Sequence, residues 1–302
     1  QLAQDGLGWP PVGFVLAGLL VGVGFVRRQQ RLAEPLLDLS LFANRAFSAA
    51  LTTNLLSFFV GFGALLFTAQ YLQLVLGLSP LEAGLWSLPA SAGFILGSLM
   101  TPLLVRRAPP VAVMATGLTL AAVGFGLLTR VDGTTGLALV VAGSVIFSVA
   151  LAPVDTLATD LAVGAAPRQR AGAASAVTET SAEFGGALGI AVLGVVGAAV
   201  YRDQMAGGIP AGVPDQAAAV AQDTLGGAAA VAGELPDPLG AALLEAAREA
   251  FTHGLHLAAT VSAAAALAFA VLVVVLLRGV RPTPPPDEAT GDRVVGTGVE
   301  PV

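Results

Sequence analysis

GLALVVAGSVIFSVALAPVDTLATDL, residues 136–161, carries no charge before Asp155 and is long enough to cross a bilayer as a helix, which takes roughly 20 apolar residues. Six further apolar runs lie near 10–26, 48–75, 84–105, 110–129, 172–200 and 254–277. All are continuous and rich in Leu, Ala and Gly. A transmembrane barrel needs short alternating strands with polar inward faces, so the runs read as helices whose backbone groups are satisfied within each segment. The expectation is an all-α integral membrane protein with seven transmembrane helices.

The composition agrees. Of 302 residues, 55% are hydrophobic and 11% charged, against about a quarter charged in a soluble domain. No cysteine is present, which excludes disulfides and thiolate metal sites. All 14 basic residues are Arg, and the net charge of -6 comes largely from acids in one loop and the tail. Residues 1–9 carry no basic leader before the apolar run, and the first residue is Gln1. The chain is therefore read as a fragment that begins inside a longer protein.

Arginine sets the orientation. Arg27, Arg28, Arg31, Arg45, Arg106, Arg107, Arg168, Arg170, Arg278, Arg281 and Arg293 fall on one side, 11 of the 14; Arg130, Arg202 and Arg248 fall on the other. The positive-inside rule makes the Arg-rich side cytoplasmic. The chain then starts outside and ends inside, in the cell membrane. Three connections stand out. EPLLDLSLFANRAFS (34–48) lies in a cytoplasmic linker over 27–47. Residues 201–253 form a long external loop, whose last part, PLGAALLEAAREAFTHGL (238–255), holds helix formers and runs into the last span. The tail, 281–302, is Pro-rich and polar, with the composition of a disordered segment.

FTAQYLQLVLGLSPLEAGLWSLPASAG (67–93) resembles the external turn of fourteen-span drug:proton antiporters of the major facilitator superfamily, the EmrB/QacA type. EPLLDLSLFANRAFS is similar to the stretch that precedes their C-terminal bundle, and RAGAASAVTETSAEFGGALGIAVLGVV (170–196) to their thirteenth helix. The resemblance covers residues 9–278. It implies three parts: an extra helix and the start of the linker over 1–33, a six-helix C-terminal bundle over 34–280, and the tail. The N-terminal half of the same protein is the implied partner. The implied activity is proton-coupled export of lipophilic, cationic compounds by alternating access. A facilitator symporter for another substrate class is the alternative, and a truncated, non-transporting membrane partner protein a remoter one. A membrane-embedded enzyme would need clustered His, Asp or Cys ligands, and the sequence has two His and no Cys. No catalytic residues, cofactor, metal site or nucleic-acid partner is expected. No phosphate-cradling Gly motif supports ATP-driven transport.

Acids within a span are costly and are functional candidates by default. Glu179 and Glu183 lie one turn apart on one helix face. Gly185 and Gly189 lie roughly opposite, with spacing suited to close helix packing; Gly93 and Gly97 repeat that spacing in the third span. A carboxyl group buried in an apolar span holds its proton more firmly, and a nearby cation loosens it. Glu179 or Glu183 is thus a proton-coupling or substrate-charge candidate; the plain alternative is a hydrated acid near Arg168 and Arg170. Asp155 follows Pro153, which removes a helix hydrogen bond, and either serves substrate or proton or satisfies backbone freed by the kink. Asp160 is expected to pair with Arg168. Ser79 and Glu82 have capping-box spacing. Asn54, Phe58, Phe62, Gln70 and Tyr71 are the substrate-pocket candidates, since aromatics and amides suit lipophilic cations; their plain alternative is contact with lipid or other helices. His253 and His256 read as interfacial, and Trp86 as an interfacial anchor.

Overall fold

A computed structural model describes residues 9–32, 39–132 and 136–277. The tail, Arg278 and residues 34–38 of the linker lie outside the described residues. Nine α-helices follow in order among those described: α1 (Trp9–Gln29), α2 (Arg45–Gln70), α3 (Pro80–Val105), α4 (Pro110–Leu128), α5 (Gly136–Gly164), α6 (Ala171–Gly208), α7 (Asp215–Asp223), α8 (Leu225–Ala232) and α9 (Asp237–Leu277). One π-helical turn, Tyr71–Val75, prolongs α2. Six helices, α2 to α6 and α9, are long and apolar enough to cross a membrane. The first expected span is also a helix, α1, but it has no extensive packing with any other described element. Its Phe14, Leu19, Leu20 and Val21 face outward.

The six long helices form one bundle around α2 and α5. α6 packs most extensively on α2, with α9 beside it; α3 and α4 flank α5, and α4 also meets α9. Small residues set the closest approaches. A side chain at Gly185 or Gly189 would run into the backbone of Leu55 or Phe59 on α2. Gly97 lies against the Val149 carbonyl of α5, whose usual helical donor, four residues on, is the imino nitrogen of Pro153. α3 thus comes nearest where the hydrogen-bond ladder of α5 is broken.

Both ends are fastened by hydrogen bonds. At the Arg-rich end, the Asn44 side chain caps α2 by accepting from the Ala46 N–H at 2.9 Å. The same side chain donates to the Ala165 carbonyl beyond α5 at 3.0 Å. Phe47, Ala50, Ala162 and Ala174 form a small apolar cluster there. The pair expected between Asp160 and Arg168 is not formed. Asp160 borders instead a cleft, between α5 and α6, that also holds Glu179.

At the other end, the segment expected as a loop over 201–253 is largely helical: α6 runs on to Gly208, α7 and α8 follow, and α9 starts at Asp237. Tyr201 donates its hydroxyl to the Ala221 carbonyl at 2.7 Å. Met205, Ala228, Leu243 and Ala247 are fully buried beneath this cap. The Ala-rich helix formers that carry α9 toward the bilayer also carry it through the expected loop.

Candidate functional site

The seam between α2 and α5 opens into two spaces, and Asp155 borders both. The larger, about 510 Å³, lies among α2, α3 and α5. Phe58, Phe62, Trp86, Phe94 and Phe147 give it aromatic walls. Phe58 and Phe62 stand one turn apart with ring centres 5.8 Å from each other. The smaller space, about 260 Å³, lies toward the Arg-rich end, where Asn54, Thr178, Asp160 and Glu179 surround Asp155. Phe58 borders both.

Local sequence places Asp155. Pro153 and Gly97 let α3 approach α5, and three residues beyond the proline the Thr156 hydroxyl meets that of Ser98 on α3 at 3.1 Å. Thr156 also hydrogen-bonds the Ala152 carbonyl at 2.9 Å. These contacts anchor the turn from which Asp155 projects. Asp155 Oδ1 is buried, and the Ser57 hydroxyl of α2 approaches the carboxyl group as a hydrogen-bond donor. No basic residue is among the groups lining either space. A carboxyl group so placed can hold a proton or attract a cation that enters from the aromatic side.

The structure brings Asn54, Phe58, Phe62, Asp155 and Glu179 to this region. Glu183 is exposed and borders neither space. Gly185 and Gly189 sit on the opposite face of α6, against α2, and Gly93 and Gly97 face α5. Gln70 is half-buried and borders neither space. Tyr71 lies elsewhere: it is fully buried at the far end of α2 and donates its hydroxyl to the Asp132 carbonyl at 3.2 Å. It borders a separate cleft with Arg248 and His256. Arg248 there donates to the Leu74 carbonyl at the end of the π turn, at 3.2 Å, and His256 lies 2.8 Å from the Val131 carbonyl.

Sequence reasoning missed Ser57, Thr68 and Ser144, which line the larger cavity, and treated Trp86 as an anchor only. A signal was available. Residues 54, 57, 58, 61, 65 and 68 recur at helical spacing along one face of α2, and 144, 148, 151 and 155 along one face of α5. Small and polar residues interrupt both otherwise apolar stripes.

A family model described as Major Facilitator Superfamily matches residues 2–190. The chain is 37% identical over 276 residues to the multidrug efflux pump LfrA of Mycolicibacterium smegmatis, covering 91% of this chain and 54% of that protein. It is 33% identical over 266 residues to the tetracenomycin C resistance and export protein of Streptomyces glaucescens, covering 86% and 49%. It is 31% identical over 233 residues to the methyl viologen resistance protein SmvA of Salmonella typhimurium, covering 77% and 46%. The chain spans about half the length of these curated relatives. Among solved structures, a bacterial homolog of the human lysosomal transporter Spinster, inward-facing and unoccupied, superposes with a TM-score of 0.52 at 21% identity, covering 78% of this chain and 50% of that one.

Proposed function

Because this chain belongs to the major facilitator superfamily, we propose that it supplies the C-terminal half of a non-enzymatic exporter of lipophilic, cationic compounds, driven by proton exchange. The observation that carries this reading is the position of Asp155 in the wall shared by an aromatic cavity and an acidic cleft. The names of the curated relatives, an efflux pump, an export protein and a resistance protein, support it.

The chemistry follows from competition. A flat apolar cation gains contact area and cation–π attraction from Phe58, Phe62, Trp86 and Phe94, and charge compensation from ionised Asp155. A proton on Asp155 removes that compensation. Asp155 therefore serves either proton or substrate, and Glu179, in the same cleft, offers a second proton acceptor toward the Arg-rich side. Alternating access by two bundles rocking about such a site then couples the two flows. The N-terminal half supplies the opposite wall. With the Arg-rich end in the cytoplasm of a plasma-membrane protein, the C-terminus lies inside and export runs outward from the acidic cleft.

The test uses the complete transporter that contains this chain, reconstituted in vesicles with an imposed pH gradient and an ethidium-like dye. Dye movement that collapses when the gradient is dissipated is expected. Dye accumulation indifferent to the protein removes the export reading. Gradient-driven uptake of a neutral solute in place of dye efflux favours a symporter instead.

A further inference from the structure

A hydroxyl group inside a helix can satisfy itself by bonding the carbonyl one turn back. The buried Thr53 and Thr178 and the half-buried Ser87 do so at 2.8–2.9 Å, and the buried Thr101 does so at 3.1 Å. Ser57, Thr68 and Ser144 do not. The Thr68 and Ser144 hydroxyl oxygens and Asn54 Oδ1 are buried and unpartnered, while the Ser57 hydroxyl and the Asp155 carboxyl group have only each other. Asn54 and Ser57 are 1% exposed, Thr68 5% and Ser144 6%. A buried polar group left dry is costly. Three such groups and one thinly satisfied pair along one seam call for a common partner.

Their placement indicates what that partner is. Ser57, Thr68, Ser144 and Asp155 border the larger cavity, and Asn54 and Asp155 the smaller. Asn54 and Thr68 are 14 residues apart on α2, or about 21 Å at the helical rise. That is most of a hydrocarbon core about 30 Å thick. A compound seated in the larger cavity does not reach Asn54, which borders only the other space. Water fits every position, since both spaces exceed the volume of one water, about 30 Å³.

We infer that the α2–α5 seam is a hydrated track, in which ordered waters bonded to Asn54, Ser57, Ser144 and Thr68 run past Asp155 from the acidic cleft to the outer third of α2. The track gives a proton on Asp155 a hydrogen-bonded route in either direction. It stands apart from the export reading, because it can be detected without transport.

This chain has no cysteine, so S57C, T68C, S144C and S262C each introduce a single thiol into a complete transporter in which any cysteine outside this chain is replaced by serine. Ser262 is the control: it is 0% exposed, its hydroxyl is also unpartnered, and it borders neither space. The complete transporter carrying each variant is reconstituted in vesicles and treated with a permanently charged methanethiosulfonate or a lipophilic maleimide. Thiols at 57, 68 and 144 are expected to react with the charged reagent about tenfold faster than at 262, because a hydrated thiol forms the reactive thiolate. Equal reaction of all four after unfolding in detergent shows that the thiols are intact. Rates at 57 and 144 no greater than at 262 overturn the track. Modification by the maleimide alone means that lipid fills the seam and also overturns it. Reaction at 57 and 144 but not at 68 overturns its extent. Should S144C fail to assemble, S148C, on the same cavity wall, takes its place.

Discussion

The hydroxyl of Ser98 on α3 meets that of Thr156 on α5 at 3.1 Å, one residue beyond Asp155. It is a side-chain link across the interface that Gly97 and Pro153 bring close. Ser98→Ala leaves the Thr156 bond to the Ala152 carbonyl intact. Detergent-induced unfolding of the reconstituted chain should show a loss of about 1 kcal/mol, the usual net value of one such bond. Wild-type stability would mean that the link contributes nothing.

Asp155→Asn keeps the shape of the side chain and removes its charge. In the complete transporter, gradient-driven dye export is expected to fall about tenfold or more, since bonds to a charged group are worth about 1.5–3 kcal/mol. The amount of protein in the membrane should not change. Glu179→Gln, at the exposed edge of the same cleft, is expected to give a smaller fall. Undiminished export in both variants removes these acids from the coupling scheme.

Aromatic contacts and Tyr71 should separate. Phe58→Ala and Trp86→Ala each take a face from the larger cavity and should weaken dye binding by about 0.5–1 kcal/mol, the range of an exposed cation–π contact. Tyr71→Phe removes only the hydroxyl that meets the Asp132 carbonyl. It should leave dye affinity unchanged and cost about 1 kcal/mol in unfolding. Equilibrium dye titration beside unfolding tells the two effects apart; a loss of dye affinity in the Tyr71 variant would place the binding region at the other end of α2.

Gly189→Val sets a branched side chain against the Phe59 backbone, where even one carbon does not fit. A destabilisation of about 1–3 kcal/mol is expected, as for overpacked cores. Gly194→Ala on the same helix meets only the end of Leu66, at 3.7 Å, and should be tolerated. Thermal aggregation of the purified chain reads both. Equal behaviour of the two variants would show that α2 and α6 do not need the small residue at 189.

Much of this arrangement was legible in the sequence. Apolar length marked the long helices because a bilayer core accepts no unpaired backbone. Arginine marked the two ends. The S-P-L-E turn predicted the start of α3, where the Ser79 hydroxyl accepts from the Glu82 N–H at 3.3 Å and the Glu82 carboxylate accepts from the Ser79 N–H at 2.9 Å. The site was less legible. Gln70 carries the same amide as Asn54, and Tyr71 is an aromatic like Phe58, yet both stand four turns from Asn54 along the helix, where Tyr71 meets the loop before α5. Glu179 and Glu183 share a face, yet only Glu179 reaches the cleft that α5 closes. Ser57 and Ser144 were missed because a serine in an apolar helix is ordinary until its hydroxyl is found without its own carbonyl.

Composition and periodicity determine the helices and their ends, because both follow from local backbone chemistry and the solvent on each side. Which acid is buried, which aromatics enclose a cavity and which polar atoms share a seam depend on how α2, α3, α5 and α6 pack. That packing is set by glycines and a proline on different helices, and by carbonyls far apart in the chain, so only the folded bundle decides it.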